Sequence, residues 1–221
     1  MSDKLCVIAG VGGGMGQAIA RAFARDGYDL ALISREPANM EPYKKQVEEI
    51  GQRATLHRAD VTDSNLMQAA FDEIMTESGI PNVVVYNVAT MTVEKPSELT
   101  EQVVLETLPL NFFGALHTTA AILPAMRKRG SGVLLYTCGG FAIEPSVERV
   151  AHSVGKAALR NWVYALHKEL TPEGIHAATV TITRPIEAGT TYDPDFIASL
   201  YLKLAHQQPP GWEWEIIHKE L

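Results

Sequence analysis

A short apolar run that ends in a cluster of glycines constrains the fold of this chain more than any other feature. The run from Leu5 to Ala9 reads as a buried strand, five glycines lie among the seven residues from Gly10 to Gly16, and a helical apolar pattern follows directly. Glycine adopts backbone angles that other residues resist, and its bare N–H groups can approach a phosphate. The stretch therefore predicts a strand, a tight turn and a helix. The turn either binds a phosphate or serves only to pack the strand closely against the helix, because its spacing does not match the commonest dinucleotide motif.

Strand and helix patterns alternate six times along the chain, with connections that are too long for hairpins. Strands are predicted at residues 5–9, 28–34, 54–57, 83–86, 132–137 and 177–183. Helical tracts are predicted at 100–129, interrupted near Pro109, and at 147–170, and a short helix and an alternating segment at 212–217 close the chain. The pattern predicts an α/β fold, a doubly wound parallel sheet of the Rossmann type in three layers, forming one domain over residues 1–221. Ligands of such sheets bind beyond the carboxyl ends of the strands.

Composition narrows the classes of partner. A net charge of -7 and a pI near 5.5 argue against nucleic acid or an anionic membrane as the main partner. The N-terminus shows no signal-peptide pattern and no apolar run approaches the roughly 20 residues that span a bilayer, so we expect a cytoplasmic protein. Cys6 and Cys138 are expected to be reduced thiols, and the seven histidines show no metal-ligand spacing, so no metal site is expected.

Polar residues follow several of the predicted strands. Ser34 and Arg35 follow the second strand, where a carboxylate would normally bind the ribose hydroxyls of NAD. A guanidinium there suits the 2′-phosphate of NADP, although a solvated surface arginine is the simpler alternative. Asp60 and Val61 follow the third strand, and Asn87 follows the fourth.

The chain resembles the short-chain dehydrogenase/reductase family over nearly its whole length. The matching features occur in the family's order: Gly10-x-x-x-Gly14-x-Gly16, Asp60-Val61-Thr62, Asn87-x-Ala89, Asn111, Lys156 in a degenerate Y-x-x-x-K motif, and Pro185 to Thr190 in the place of P-G-x-V-x-T. The resemblance implies an oxidoreductase that binds NADP(H), takes a small-molecule substrate and assembles as a homodimer or homotetramer.

The resemblance also implies roles for individual residues. The cofactor-binding set comprises Gly10, Gly12, Gly13, Gly14, Met15 and Gly16 at the pyrophosphate, Ser34 and Arg35 at the 2′-phosphate, Asp60 and Val61 at the adenine, Asn87, Ala89, Lys156 at the nicotinamide ribose, and Pro185, Ala188 and Thr190 at the nicotinamide end. Asn111 would support a water that relays protons to Lys156. Two of these residues have simpler alternatives, since Asp60 can cap a turn and Asn111 can be a core amide.

Two positions depart from the family pattern. The catalytic tyrosine is replaced by His152, and the catalytic serine falls at about Gly139, next to Cys138. His152 and Lys156 are four residues apart on a predicted helix, so both side chains share one face. A histidine titrates near a pKa of about 6.5 and can act as an acid or a base. A passive histidine in the cleft or the core is the simpler alternative.

Three hypotheses follow from these departures. His152 moves the proton for a C=O/CH–OH pair, or the substrate is an iminium or activated alkene that needs no such acid. In the third hypothesis the chain is a catalytically degenerate NADP(H)-binding protein with a regulatory or partner-subunit role. The segment that covers the substrate in the family is also short here, with about nine residues between Pro185 and the next helix, and Ile186 stands where a glycine is expected. The site is then either open or closed by another subunit. Trp212 and Trp214 are predicted to share one face of the last strand, in the core or against a partner.

Overall fold

The computed structural model describes residues 4–219, and its centre is a seven-stranded sheet in which every pair of neighbouring strands is parallel. The strands are β1 (Leu5–Ala9), β2 (Asp29–Ser34), β3 (Ala54–Arg58), β4 (Val83–Tyr86), β5 (Gly132–Gly139), β6 (Ile175–Ile182) and β7 (Glu215–His218). Their order is β3-β2-β1-β4-β5-β6-β7, so the winding reverses between β1 and β4. The predicted doubly wound sheet is confirmed. Residues 1–3 and 220–221 of the predicted domain, with the start of the N-terminal segment, lie outside the described residues.

Helices cover both faces of the sheet. They are α1 (Met15–Arg25), α2 (Glu41–Ile50), α3 (Ser64–Ser78), α4 (Glu101–Leu108), α5 (Gly114–Arg129), α6 (Val150–Leu170) and α7 (Pro194–Ala205). One buried cluster joins the sheet to α3, α5 and α6, and the other joins it to α1, α2 and α7. Alternate strand residues divide between them, since Val7 and Ala9 belong to the first cluster and Cys6 and Ile8 to the second. This is the predicted three-layer arrangement.

The long helical tract changes its geometry at Pro109, where an interruption was predicted, but the helix does not end there. Residues Pro109–Phe113 form a π-helical turn between α4 and α5. Proline lacks an N–H and its ring crowds the preceding turn, so a wider turn accommodates it without ending the helix. The turn carries Asn111, which is fully buried.

Two predicted boundaries near the site are wrong. β5 extends to Gly139, because Cys138 and Gly139 pair with Thr181 and Ile182 of β6. α6 begins at Val150, three residues later than predicted. These shifts place Cys138 and Gly139 inside a strand rather than after it.

The two C-terminal tryptophans precede β7 and do not share a face of it. Trp212 stacks on His176 with ring centroids 5.0 Å apart, and Trp214 packs on Tyr164 with centroids 4.4 Å apart. These ring contacts fix the indoles against β6 and α6. The strand β7 begins at Glu215, directly after Trp214, whose main-chain oxygen accepts from the N–H of Thr179 at 2.9 Å. The prediction that they share a strand face is wrong.

Other sequence predictions concern membranes, metals and thiols. Within residues 4–219, none of the helices is long and apolar enough to cross a bilayer. The same residues contain no group of three or more potential metal ligands. Cys6 and Cys138 are buried and unpaired with each other. The cytoplasmic location stays a prediction.

Candidate functional site

The glycine turn lies where the winding of the sheet reverses, between the carboxyl ends of β1 and β4. Gly10 has a φ of +95°, and a Cβ added there would lie 2.6 Å from the main-chain oxygen of Asn87. A Cβ added at Gly16 would lie 2.7 Å from the main-chain oxygen of Gly10. At Gly12 and Gly14, by contrast, an added Cβ would meet no described atom within 4 Å. Gly10 and Gly16 are therefore required by packing, while Gly12 and Gly14 leave an open surface beside the first N–H groups of α1, where a phosphate fits.

The amide of Asn87 braces this turn. Its Nδ2 donates to the main-chain oxygen of Gly10 at 2.9 Å, and its Oδ1 accepts from the Thr137 hydroxyl at 2.8 Å. The hydroxyl of Tyr201 lies 2.7 Å from that of Thr137 and completes the network. Asn87, predicted to contact the cofactor, thus uses both ends of its side chain to join β1, β4 and β5.

A cleft of about 290 Å³ opens beside the turn, above the ends of β2 and β3. Its lining includes the predicted cofactor residues Ser34, Arg35, Val61 and Ala89, together with Gly10. The Arg35 side chain is exposed. The residues present therefore fit the adenosine half of a dinucleotide, with a cation available at the outer end.

Asp60 lies between two lining residues of this cleft but does not itself line it. Its Oδ1 accepts from the N–H of Thr62 at 2.9 Å and from the Thr62 hydroxyl at 2.8 Å. Burial raises the pKa of this carboxyl, but the two hydrogen bonds from Thr62 and the charge of Arg35 outweigh burial and lower it. The side chain therefore stays ionised and caps its own turn, which is the simpler of the two alternatives for this residue.

A second, larger cleft of about 460 Å³ continues from the first, and the two share Val88 and Ala89. Of the predicted site residues, it brings together Asn87, Ala89, His152, Lys156 and Pro185. Most of the remaining wall is apolar: Val88, Met91, Phe141, Ile182 and Ile186. An apolar cleft with a few converging polar groups is the usual form of a small-molecule site.

Lys156 is buried at the floor of this cleft. Its Nζ donates to the main-chain oxygens of Val88 at 3.1 Å, two residues after β4, and of Thr137 at 3.0 Å, within β5. An ammonium carries three donors, so one hydrogen remains for a ligand. Burial lowers the pKa of Lys156 to about 8, and the charge of the nearby Cys138 thiolate would only partly oppose this effect.

His152 lies one helical turn before Lys156 and is also buried. Its Nδ1 is 2.9 Å from the main-chain oxygen of Thr90. A carbonyl can only accept, so Nδ1 carries the hydrogen and Nε2 of the neutral ring carries a lone pair. Burial lowers the pKa of His152, and the positive charges of Lys156 and Arg149 lower it further, against the opposing effect of the Thr90 hydrogen bond. At neutral pH the ring therefore presents a proton acceptor to the cleft.

Asn111 fixes the segment to which His152 is bonded. Its Oδ1 accepts from the N–H of Thr90 at 2.9 Å, and its Nδ2 donates to the main-chain oxygen of Thr90 at 3.0 Å. That oxygen thus accepts from both Asn111 and His152. Both ends of the amide side chain are engaged by the backbone of Thr90, so Asn111 fixes this segment, and its predicted support of a water stays a prediction.

Residues 4–188 match the family model described as short chain dehydrogenase. The chain belongs to this family. Among curated relatives it is similar to the uncharacterized oxidoreductase YghA of Escherichia coli strain K12, with 28% identity over 221 residues that cover 94% of this chain and 73% of the relative.

Two solved structures show the same fold. An alcohol dehydrogenase from the archaeon Thermococcus sibiricus, complexed with 5-hydroxy-NADP, has a TM-score of 0.87 and 25% identity, covering 97% of this chain and 95% of that one. A metagenomic short-chain oxidoreductase in complex with NADP has a TM-score of 0.90 and 20% identity, covering 99% and 97%. The two cofactors named belong to those proteins.

Gly139 lies beside His152, at the position where the family resemblance places a serine. A Cβ added at Gly139 would lie 3.7 Å from Nε2 of His152, which is an ordinary van der Waals distance. The neighbouring Cys138 is buried, and burial raises the pKa of its thiol despite the charge of Lys156. The side-chain position facing Nε2 is therefore open space, and a substrate can occupy it.

Several predicted cofactor residues line neither cleft: Gly12, Gly13, Gly14, Met15, Gly16, Asp60, Ala188 and Thr190. Met15 packs in the core under the sheet. Ala188 and Thr190 lie in an exposed turn, which is closed by a hydrogen bond from the N–H of Glu187 to the main-chain oxygen of Tyr192 at 3.1 Å. The shortened connection between β6 and α7 folds on itself in this way, and Ile186 lines the cleft instead.

Four residues of the site were not predicted from the sequence. Thr90 acts through its main chain, and main-chain contacts leave no trace in residue type. Phe141 meets the His152 ring edge-on, with centroids 6.1 Å apart. Met91 and Arg149 line the same cleft. Arg149 could have been found from its position three residues before His152.

Proposed function

We propose that this chain is an NADP(H)-dependent oxidoreductase that interconverts a small organic alcohol and its carbonyl compound. The observation that carries the proposal is the orientation of His152. Its Nδ1 is committed to Thr90, so Nε2 offers a lone pair to the cleft that also contains Lys156. Membership of an oxidoreductase family supports the reaction class.

The cofactor would lie across both clefts. The open side of the glycine turn would hold the pyrophosphate, Arg35 the 2′-phosphate, and the remaining Lys156 hydrogen the nicotinamide ribose. When bound there, a nicotinamide accepts a hydride from the alcohol carbon or returns it to the carbonyl carbon. Pro185 and Ile186 would exclude water on the open side of the cleft.

The chain's own residues handle the proton. In alcohol oxidation the carbon loses a hydride with its electron pair, and the hydroxyl oxygen loses its proton to Nε2 of His152, leaving a C=O bond. The resulting imidazolium then releases the proton to solvent. Because burial and the charge of Lys156 disfavour the imidazolium, this release is rapid and the free base is restored.

The histidine assignment is tested with a matched pair of variants. His167 lies on the same helix and also bonds a main-chain oxygen through Nδ1, at 3.0 Å from Ala177. We expect His152→Ala to lower kcat by about 10²–10⁴-fold, the usual contribution of a positioned base, and His167→Ala to leave it near the parent value. The assay is NADPH formation or oxidation with panels of alcohols, ketones, imines and enones.

Each outcome of that assay decides between hypotheses. Equal activity in parent and His152→Ala would reject the base and favour a substrate that needs no proton transfer. Tight NADPH binding without turnover on any panel would reject the enzyme and favour a cofactor-binding protein without redox chemistry.

The preference for NADP(H) rests on Arg35 and has its own test. We expect Arg35→Ala to weaken NADPH much more than NADH in fluorescence titrations, because only NADPH carries the 2′-phosphate. Arg25→Ala is the control, since this exposed arginine removes the same charge from the last turn of α1. Equal weakening of both cofactors by Arg35→Ala would remove the 2′-phosphate argument.

Assembly into a homodimer or homotetramer is part of the proposal. Leu105, Phe113 and Val154 lie on α4, the π turn and α6, and their side chains are 56%, 37% and 42% exposed. An apolar group of this kind on packed helices favours burial against a second copy. Sedimentation of the parent and of Leu105→Glu tests it, and a monomeric parent would reject it.

A further inference from the structure

The larger cleft is positively charged in a protein that is acidic overall. The chain carries a net charge of -7, yet Lys156, Arg149 and Arg184 all line this cleft and none of its lining residues is Asp or Glu. Clefts lined by one sign of charge concentrate ligands of the opposite sign. The charge of Lys156 is explained by its hydrogen bonds to two main-chain oxygens and by its proposed contact with the cofactor. The charge of Arg149 has no such explanation.

Arg149 is half-buried at the wall of the cleft and its guanidinium is unpaired. The guanidinium makes no hydrogen bond, ion pair or ring contact with any residue in the range 4–219, whereas the main-chain oxygen of Arg149 accepts from the N–H and the hydroxyl of Ser153, both at 3.0 Å. The charge of the guanidinium nevertheless acts on His152: burial is the main cause of the lowered pKa of His152, and the charge of Arg149 lowers it further. A half-buried guanidinium that faces an apolar cleft without a partner is a strong site for an anion, because it offers a fork of N–H donors that match a carboxylate.

The backbone around Arg149 is held in place by Glu94. The two residues form a parallel bridge, and the N–H of Glu94 donates to the main-chain oxygen of Glu148 at 3.1 Å. The Glu94 carboxylate accepts from the N–H of Ala151 at 2.7 Å, at the start of α6, and does not form an ion pair with Arg149. The backbone of Arg149 is thereby held beside the cleft, and the Glu94 carboxylate does not form an ion pair that would neutralise the guanidinium.

Much of the remaining wall of the cleft is apolar, and the cleft is small. Met91, Phe141 and Ile186 form its walls, and its volume of about 460 Å³ would be shared with a nicotinamide ring. A ligand that fits must therefore combine one anionic group with a short apolar body. The open space facing Nε2 of His152, next to Gly139, receives its hydroxyl group.

We propose that the substrate is a short hydroxy acid or oxo acid whose carboxylate is bound by Arg149 while its hydroxyl or carbonyl oxygen faces His152. This inference rests on the proposed oxidoreductase function and names the substrate class. The carboxylate bond is charge-assisted and formed in a partly desolvated cleft, so it selects acids over neutral analogues of the same shape.

The test compares acids with their amides. Short 2- and 3-hydroxy acids are assayed with NADP+ beside the amide of the same carbon skeleton, using the parent, Arg149→Gln, Arg149→Lys and the charge-matched control Arg25→Ala. We expect the parent to prefer acids in kcat/KM, Arg149→Gln to lose about 10- to 100-fold on acids and little on amides, and Arg149→Lys to recover part of the loss. Arg25→Ala is expected to behave as the parent.

A binding measurement separates this inference from the proposed function. Butanoate and butanamide have no hydroxyl to oxidise, and each is titrated into the NADPH-loaded protein and into the protein alone by calorimetry. Butanoate binding that Arg149→Gln abolishes supports the carboxylate site even if no substrate turns over. Turnover of neutral alcohols that is unaffected by Arg149→Gln, with no binding preference for butanoate, rejects the inference and leaves the oxidoreductase function intact.

Discussion

Replacing Gly10 by alanine tests whether the turn between β1 and β4 is as tightly packed as the structure shows. Gly10 has a φ of +95°, and the added Cβ would lie 2.6 Å from both the main-chain oxygen of Asn87 and Cγ2 of Val88. The positive φ costs about 1–2 kcal/mol for a residue with a Cβ. Overpacking a rigid contact costs about 1–3 kcal/mol more. The expected loss in the free energy of unfolding is therefore about 2–5 kcal/mol.

Gly51 provides the matched control. It ends α2 with a φ of +100°, and a Cβ there would meet no described atom within 4 Å. Gly51→Ala therefore carries the backbone strain without the overlap, and we expect it to lose only about 1–2 kcal/mol. Urea denaturation gives both values.

Cofactor binding separates the two variants further. The overlap at Gly10 must push apart the ends of β1 and β4, where the phosphate is proposed to bind. Fluorescence titration with NADPH should show weaker binding in Gly10→Ala by tenfold or more, about 1.4 kcal/mol, and unchanged binding in Gly51→Ala. Equal losses of stability in the two variants, with unchanged NADPH affinity in both, would refute the packing argument.

Three further predictions follow from the same contacts. The pKa of His152 is lowered, so the base should be active down to a pH below about 6.5, and an acid limb of kcat/KM for alcohol oxidation above that pH would contradict the lowered pKa. Burial lowers the pKa of Lys156 from 10.5 to about 8, so between these two pH values the unfolded chain holds the proton and the folded chain does not. The free energy of unfolding of the parent should therefore rise relative to that of Lys156→Met by roughly 3 kcal/mol as the pH rises from about 8 to 10.5. A constant difference between the two free energies of unfolding across this window would contradict the prediction. Arg160→Ala leaves the buried Glu215 carboxylate without its paired bonds of 2.7 and 2.5 Å and should cost about 3–5 kcal/mol in urea denaturation, whereas Arg127→Ala on the surface should cost far less, and similar losses would refute the distinction.

The fold was predictable because its signals are local. β1 and β4 occur where uniform apolar runs predicted them, since a parallel strand covered on both faces needs such a run whatever its neighbours are. The wrongly predicted boundaries lie where contacts with residues distant in sequence determine where an element begins or ends. β5 continues to Gly139 because β6 pairs with it, and α6 starts late because the Glu94 segment holds residues 148–151.

The site was predictable in part for the same reason. Helical spacing alone places His152 and Lys156 on one face, and both line the larger cleft. Ala188 and Thr190 were assigned from a motif position, but the shortened loop turns them outward, and no local pattern shows where a loop folds. Thr90 contributes a carbonyl, which every residue has, so its role appears only when the chain is folded.

The proposed carboxylate at Arg149 changes how His152 should titrate. Apart from burial, the pKa of His152 is lowered by the charges of Lys156 and Arg149. A bound carboxylate offsets the charge of Arg149, so the imidazolium becomes less unfavourable and the base stronger once the acid is bound. The pH profile of kcat reports the complex and that of kcat/KM the free enzyme. With hydroxy acids the acid limb of kcat should therefore lie at higher pH than that of kcat/KM, while with the matching amides the two limbs should lie closer together. Identical separations for acids and amides would show that Arg149 and the substrate carboxylate do not meet.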